Sequence, residues 1–334
     1  MKVPNIKDQI SYSAAEWFGK FLTADLVSTA KSYIADPQRF TRTFVVTVNG
    51  KHRNILTYQA NADGAALRKV HYYYSEFIKR QYTKSPCSYA YTKGRGIMDC
   101  VNQHLDGQVF LKTDIHKFFE SVDYRRMIQK ILEFPVCQDY STIIVPLTRA
   151  CFHEGHLPIG FISSPVLSDL FLTDLDRKFQ SQNLFIYTRY ADDLIFSASV
   201  GYAAQIFPNV QSDLALELGK LGLELNTKKT YIRTLNQEGD AIHVLGVNIV
   251  KTRGPRNRVT ISGRYLRKIS KDLYDLMAGR QKGSMQDAFT EVYGRIAFVN
   301  LCSQDSMQKL RKMFYVKSGY RGPFTRKALW NACQ

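Results

Sequence analysis

The sequence of 334 residues has no apolar stretch long enough to span a bilayer. Its first residues also lack the hydrophobic block of a secretory signal peptide. Internal repeats and low-complexity tracts are absent as well. We therefore expect a cytoplasmic protein with no membrane partner. Its length is enough for two or three subdomains and a sizeable core.

Cysteine and histidine are too scattered for a zinc site. None of the six cysteines has a partner at paired zinc-ligand spacing, so reduced structural thiols are the best interpretation. The seven histidines form no His-x-x-x-His pattern. His153 and His156 lie close together, but no cysteine pair accompanies them, and we prefer a polar loop there.

Acidic residues are few in comparison with basic ones. Lys and Arg number 46 against 29 Asp and Glu, which gives a formal net charge of +17. Such an excess predicts binding to a polyanion. The candidates are nucleic acid and an anionic membrane surface. The acidic segments around residues 114 and 190–193 favour nucleic acid.

The most informative residues that are present form the tetrapeptide Tyr190-Ala191-Asp192-Asp193. Aromatic and β-branched residues flank the two acids on both sides, which predicts two strands joined by a tight acidic turn. Adjacent carboxylates are costly unless a cation neutralises them, and Mg²⁺ takes oxygen ligands. An ordinary acidic turn without chemistry is the alternative, since Asp is common in turns.

A third acid, Asp114, follows the short apolar run at residues 109–111. We interpret that run as a buried strand whose end places the carboxylate in a cleft. Three carboxylates on adjacent strands can hold two Mg²⁺ ions, one activating a primer 3′-hydroxyl and one neutralising the pyrophosphate leaving group. The acids therefore indicate nucleotidyl transfer.

The order of these segments resembles the palm of a reverse transcriptase, and the resemblance covers most of the chain. The first palm motif is similar to residues 113–119. There the resemblance implies that Asp114 and Ile115 are metal ligands. The third motif is similar to residues 190–193, and it would add Asp192 and Asp193 as ligands. The implied metal is Mg²⁺, with Mn²⁺ as an alternative. Phe119 falls at the position of the steric gate against a ribose 2′-hydroxyl.

The second motif looks like residues 157–165, where Gly160 and Ser163 would lie beneath the template base and the incoming nucleotide. Its local chemistry also predicts a helix start, with serine as the cap and Pro165 in the first turn. Taken alone, the segment is only a well-capped helix.

The fourth and fifth motifs look like residues 222–230 and 244–249. In the fourth, Lys229 is the better match to the lysine that protonates pyrophosphate in such polymerases, and Lys228 stays open. Two solvated surface lysines are the alternative. The fifth resembles the strand-turn-strand grip for the primer end.

The resemblance implies an α+β, right-hand polymerase with fingers, palm and helical thumb. We expect N-terminal helices and fingers over 1–105, a palm over 106–250 with an inserted fingers segment near 126–155, and a thumb over 251–334. The Asn-Gly turn at residues 49–50 predicts a hairpin. Its Lys51 and Arg53 resemble the fingers residues that contact the nucleoside triphosphate, although a solvated hairpin tip is an equal alternative.

Periodicity predicts helices over 8–34, 63–82, 263–281, 284–300 and 303–317. The last three carry bases suited to a duplex backbone, although a charge run is commonly only a solvated face. These bases are Arg264, Arg267, Lys268, Lys271, Arg295, Lys309, Arg311, Lys312 and Lys317.

The resemblance implies RNA-directed DNA synthesis from deoxynucleoside triphosphates. A structured non-coding RNA would be the template, a DNA or RNA-DNA duplex the product, and an accessory defence protein or a second copy of the chain a further partner. Two segments depart from the retron pattern. Ile159 replaces the glutamine that retron enzymes carry, and within residues 100–104 only His104 matches the retron signature. These departures favour the abortive-infection and unknown-group enzymes of phage defence.

Three alternatives stay open. The first is a template-independent or protein-primed DNA polymerase, to which the altered second motif at Ile159 and Phe161 points. The second is a non-catalytic RNA-binding scaffold, which the presence of all three acids disfavours. The third is an RNA-dependent RNA polymerase, disfavoured by the bulk of Phe119.

Overall fold

A computed structural model describes residue 16 and residues 21–48, 51–199 and 203–334. The helix expected over 8–34 lies partly outside these ranges and is described from Ala24 onward. The tip of the expected hairpin, residues 49–50, also lies outside them. Within the described ranges no helix has the length and hydropathy that a membrane span requires.

Helices and strands are interspersed along the first two thirds of the chain, and helices dominate the last third. The helices are α1 Ala24–Ala35, α2 Ala62–Ile78, α3 Ile97–Asn102, α4 Phe118–Ser121, α5 Tyr124–Leu132, α6 Pro135–Asp139, α7 Ser141–Ala150, α8 Ser164–Phe171, α9 Thr173–Gln180, α10 Ala203–Lys220, α11 Gly263–Met277, α12 Met285–Cys302, α13 Gln304–Ser318 and α14 Arg326–Cys333. The strands are β1 Thr41–Val48, β2 Lys51–Tyr58, β3 Val109–Asp114, β4 Ile186–Tyr190, β5 Asp193–Ala198, β6 Tyr231–Thr234, β7 Ala241–Val244, β8 Val247–Val250 and β9 Arg258–Thr260.

The central sheet is antiparallel and has the strand order β4-β5-β3-β6. Its middle strands are almost entirely buried, in agreement with their continuous apolar and β-branched sequence. Helices α8, α9 and α10 contribute Leu167, Phe179 and Leu214 to the same core. This packing gives a rigid support for the acids at the ends of β3 and β5.

The predicted hairpin of β1 and β2 is confirmed, with Val48 paired to Lys51 and Thr41 to Tyr58. The amide of Leu56 donates to the carbonyl of Ile159 at 2.9 Å. Gly160 has φ +118°, and a Cβ there would lie 2.2 Å from the carbonyl oxygen of Leu56. The second motif is therefore docked on the hairpin, and only glycine permits this approach.

Replacing Gly160 by alanine is expected to lower the free energy of unfolding by about 3 kcal/mol, since the new methyl group overlaps the backbone of β2. Gly155→Ala is the matched control, because Gly155 also has a positive φ but open space around it. It should cost about 1 kcal/mol. Chemical denaturation measures both, and equal losses would contradict the docking of Gly160 on β2.

The start of α8 differs from the prediction. Pro165 does lie in the first turn, but the hydroxyl of Ser163 makes no capping hydrogen bond, so the capping prediction was wrong. Ser163 is completely buried and already has helical backbone angles. The neighbouring hydroxyl of Ser164 instead donates to the carbonyl of Pro158 at 2.7 Å, which closes the loop of the second motif.

The last third supplies most of a second core, which includes residues of a small antiparallel sheet of β7, β8 and β9. Helices α11, α12 and α13 match the three predicted helices to within a few residues. Side chains of Ser262, Ser284 and Ser303 cap their N-termini, and Thr325 caps the additional helix α14. That last helix was not predicted, although its threonine cap is a recognisable signal.

The cysteines and the short histidine segment agree with the sequence interpretation. All six cysteines are free and buried. The backbones of His153 and His156 exchange hydrogen bonds of 3.0 Å across a tight loop. These residues therefore contribute to packing and loop structure.

Candidate active site

The register of the central sheet brings the three predicted acids together. Asp114, the last residue of β3, is paired with Asp193, the first residue of β5. Asp192 lies in the two-residue turn that joins β4 to β5, and its carbonyl accepts a hydrogen bond of 3.0 Å from the amide of Ile115. Backbone pairing alone thus places these acids at one edge of the sheet.

The turn is conformationally unusual because Ala191, its first residue, has φ +56°. Turns of this kind normally carry glycine at that position, since a Cβ disfavours a positive φ. Tyr190 and Asp193 pair on either side of the turn. The acids therefore stand on a tight hairpin that stores local strain.

Asp114 is almost fully buried and is held by the loop of the fourth motif. Lys229 donates to its Oδ2 at 2.6 Å, and the Asn226 side chain donates to its Oδ1 at 3.0 Å. The backbone amide of Asn226 also donates to the carbonyl of Asp114 at 2.8 Å. The structure thus joins Lys229 to the acids, and it adds Asn226, which the motif contained but which was not singled out.

Burial and mutual repulsion set the charges of the acidic pair. Burial, followed by the charges of Asp114 and Asp193, raises the pKa of Asp192 from 3.8 to about 6. Burial also raises the pKa of Asp193, against the attraction of Lys112, whose ammonium lies 3.8 Å from a carboxylate oxygen. Burial is the largest influence on Lys229 and opposes its charged form, but the hydrogen bond to Asp114 and the charges of Asp114, Asp193 and Asp192 together outweigh burial and raise the pKa of the lysine.

Asp192→Asn is expected to stabilise the metal-free protein at neutral pH. The pKa of Asp192 is about 6 in the folded protein, compared with the ordinary value of 3.8 that applies to the unfolded chain. The contribution of Asp192 to folding stability is therefore complete below about pH 4 and is lost as the pH rises through about 6. At pH 8 the free energy of unfolding of the variant should therefore be about 1–2 kcal/mol higher than that of the wild type.

Denaturation with chelator present, repeated between pH 4 and pH 8, measures this difference. The stability gap should close toward pH 4, and Asp213→Asn, an exposed acid, should show no such trend. A gap that is absent at pH 8, or that widens on acidification, would contradict the assigned repulsion.

The donor chemistry of the site fits a hard divalent cation. Asp114, Asp192 and Asp193 offer carboxylate oxygens, and the raised pKa of Asp192 shows that added positive charge is favoured there. Within the described ranges no three His, Cys, Asp or Glu side chains already form a metal cluster. The carboxylate of Asp114 is hydrogen-bonded to Lys229 and Asn226.

The other predicted site residues occupy distinct places around the acids. Phe119, in α4 just beyond β3, is half-buried with its ring centroid 5.5 Å from that of Phe118. Arg53 is exposed on β2, and Lys51 begins that strand. Gly160 and Ser163 belong to the loop docked on β2. The structure therefore brings Lys229 to the acids and groups the second motif with the hairpin strand.

Sequence reasoning missed two groups of polar residues behind the sheet. His104, noted only as a motif match, is fully buried and bridges Ser197 and Thr188 through hydrogen bonds of 2.7 Å each. Burial lowers its pKa to about 3, so the ring is neutral. Arg189 is buried as well. Polar residues inside strands were the available signal, but their partners lie far away in sequence.

Comparison with known proteins decides the family. Residues 53–249 match the family model described as reverse transcriptase (RNA-dependent DNA polymerase). The chain belongs to the reverse transcriptase family. The match contains all three carboxylates, Phe119 and Lys229. Reverse transcriptases generally use divalent metal ions for catalysis.

Curated relatives of this reverse transcriptase include retron enzymes. It is 30% identical over 154 residues to the retron Ec86 reverse transcriptase of Escherichia coli, covering 45% of this chain and 46% of the relative. It is 29% identical over 188 residues to the retron Mx65 reverse transcriptase of Myxococcus xanthus, covering 51% and 43%. The chain thus spans about half the length of the curated relatives it matches.

Solved structures that resemble this reverse transcriptase include two telomerases. The Candida albicans enzyme, in complex with a fragment of telomeric RNA, matches with a TM-score of 0.49 and 10% identity over 96% of this chain and 64% of that one. The apo enzyme of Candida tropicalis matches with a TM-score of 0.48 and 11% identity over 95% and 64%.

Proposed function

We propose that this protein is an RNA-directed DNA polymerase that extends a 3′-hydroxyl with deoxynucleotides. The observation that carries the proposal is the pairing of Asp114 with Asp193 in the sheet, with Asp192 in the adjoining turn. Membership of the reverse transcriptase family agrees with this chemistry. The 46 basic residues outnumber the 29 acidic ones, and this positive charge suits a nucleic-acid substrate.

The carboxylates of Asp114, Asp192 and Asp193 and the backbone of Ile115 would hold two Mg²⁺ ions, with Mn²⁺ as an alternative. Bound divalent cations supply activation of the primer hydroxyl and neutralisation of the triphosphate. The chain itself supplies the rigid hairpin that aims the acids and the ammonium of Lys229. Since Lys229 is half exposed, it is free to leave Asp114 and donate a proton to pyrophosphate.

The nucleotide side of the proposed site uses residues from three segments. Phe119 would exclude a ribose 2′-hydroxyl by its bulk. Arg53 and Lys51 of the hairpin would contact the triphosphate of the incoming nucleotide. Gly160 and Ser163 would support the template base through the loop that is docked on β2.

We propose that the chain is organised in three parts. Residues 1–105 would form N-terminal helices and fingers, 106–250 the palm with a fingers insertion near 126–155, and 251–334 the thumb. Eight of the nine bases singled out in the last third are exposed. Arg295 is the exception, because it pairs with Asp272 at 2.7 Å and is only partly accessible. The exposed bases would follow a DNA or RNA-DNA duplex.

Replacing Lys229 by alanine should lower kcat about a hundredfold, because the proton donor to pyrophosphate is lost. The same change should tighten Mn²⁺ binding, since the ammonium that occupies Asp114 is removed. Lys228→Ala is the matched control, because Lys228 is exposed beside it. Single-turnover incorporation and Mn²⁺ titration measure both effects, and equal rates for the two variants would contradict the role of Lys229.

Incorporation of labelled deoxynucleotide on an added RNA template and primer tests the proposal directly. Synthesis should require a divalent cation and stop with chelator. RNA binding without incorporation would favour the scaffold, and incorporation that ignores the template would favour the template-independent enzyme. The cognate template is proposed to be a structured non-coding RNA used in anti-phage defence, with a defence protein or a second copy as accessory partner. The choice between the retron and abortive-infection groups stays a prediction.

A further inference from the structure

Arg189 lies on β4 only three positions before Asp192, and its side chain is buried in the core beside the acidic turn. In the described part of the chain it is among the largest of the fully buried side chains, with 1% of its surface exposed. Its backbone is paired with residues 87–89, through hydrogen bonds to Cys87 and from Tyr89 of 2.8 and 2.9 Å. The backbone of Arg189 is therefore held on both sides, by β5 and by residues 87–89.

Two buried carboxylates hold the guanidinium from behind. Asp176 of α9 accepts from Nε at 2.8 Å and from Nη2 at 2.7 Å, and Asp169 of α8 accepts from Nη2 at 2.9 Å. Tyr187 donates to Asp176 at 2.9 Å, and the ammonium of Lys84 lies 3.6 Å from Asp169. The positive charges of Arg189 and Lys84 balance the negative charges of Asp169 and Asp176, so the network carries no net charge that would destabilise the core.

The remaining arm of the guanidinium reaches the acidic turn. Nη1 of Arg189 donates to the carbonyl of Ala191 at 3.3 Å. Ala191 is the residue with φ +56°, and the next carbonyl, that of Asp192, is held by the amide of Ile115 from the other side. A strained turn persists only where its surroundings over-determine it. Here two consecutive carbonyls are fixed by separate donors.

We propose that Arg189 is a positioning residue: braced by Asp169 and Asp176, it clamps the carbonyl of Ala191 and thereby aims the carboxylate of Asp192 at the metal site. This role rests on the metal-binding function proposed above for Asp192. It links helices α8 and α9 to the acidic turn through one side chain. The planar fork of arginine serves three acceptors at once, which the single ammonium of lysine does not do.

Arg189→Lys tests the clamp, because it keeps the charge balance of the network while losing the fork. We expect the Mn²⁺ dissociation constant, measured from the free-ion signal in electron paramagnetic resonance, to rise about tenfold. The kcat should fall by a similar factor, with the KM for deoxynucleotide within about twofold of wild type, since nucleotide contacts lie elsewhere. Arg189→Met combined with Asp176→Asn is the second, charge-balanced variant if lysine prevents folding.

Tyr187→Phe is the matched control, because it removes a donor to Asp176 without touching the turn. It should lower the melting temperature but leave Mn²⁺ affinity as in the wild type. Adding Ala191→Gly to Arg189→Lys should restore much of the Mn²⁺ affinity, since glycine adopts the positive φ without strain.

Equal Mn²⁺ affinity in Arg189→Lys and Tyr187→Phe would overturn the inference, because Arg189 would then serve only the core. Failure of Ala191→Gly to restore binding would also overturn it, because Arg189 would then act on something other than the turn. These outcomes leave the proposed function intact if the wild type binds Mn²⁺ through Asp192. If Asp192→Asn binds Mn²⁺ as the wild type does, both the function and the inference fall.

Discussion

The combined change Asp192→Asn and Asp193→Asn is expected to abolish DNA synthesis, with a loss of about a thousandfold or more. Both carboxylates lie at the turn that faces Asp114, and asparagine keeps their shape while removing the charge that a divalent cation requires. Folding and RNA binding should stay nearly intact, because the change also removes repulsion between neighbouring, partly buried acids. Primer extension, thermal unfolding and RNA binding measure the three properties.

Asp139→Asn combined with Asp213→Asn provides the matched control for this charge change. Both acids are exposed, on α6 and α10, away from the acidic turn. The control should extend primers at the wild-type rate. DNA synthesis by the Asp192 and Asp193 double variant would show that the chemistry takes place elsewhere in the protein.

Phe119→Ala should reduce discrimination against ribonucleotides by about a hundredfold. Phe119 follows β3 in the short helix α4, so its ring lies on the element that directly follows Asp114. Removing the ring opens space for a ribose 2′-hydroxyl without changing a charge. The ratio of kcat/KM for a deoxynucleotide to that for the matching ribonucleotide is the quantity to measure.

Phe119→Tyr keeps the bulk of the ring and should retain discrimination against ribonucleotides. Phe119→Ala should also cost some stability, because the ring packs beside Phe118. Discrimination is a ratio measured on one folded enzyme, so that cost does not affect it. Unchanged discrimination in Phe119→Ala would remove the gate role and reopen the RNA polymerase alternative.

The parts of the site that were predictable depend on local sequence. Strand pattern and turn chemistry placed Asp114 and Asp192 at strand ends, and the hairpin of β1 and β2 followed from alternation around its turn. Helical periodicity was equally readable, since the helix predicted over 63–82 is present as α2 and buries Leu67, Val70 and Tyr74 at helical spacing. Such signals lie within about ten residues of one another.

The parts that were missed depend on contacts between distant segments. Arg189 finds its partners on α8 and α9, and Asn226 reaches Asp114 across 112 positions of sequence. A serine side chain was predicted to cap α8, but Ser163 at the cap position is buried without a capping hydrogen bond and Ser164 closes the loop instead. Side-chain partners of this kind follow from the tertiary fold, and no local pattern specifies them.

The sequence of the DNA that the purified protein makes on an RNA of defined sequence tests the central claim most directly. The DNA is expected to be complementary to that RNA, to be lost when the RNA is digested beforehand, and to be absent with the Asp192 and Asp193 double variant. DNA unrelated to the supplied RNA, or made equally well after its digestion, would contradict RNA-directed synthesis.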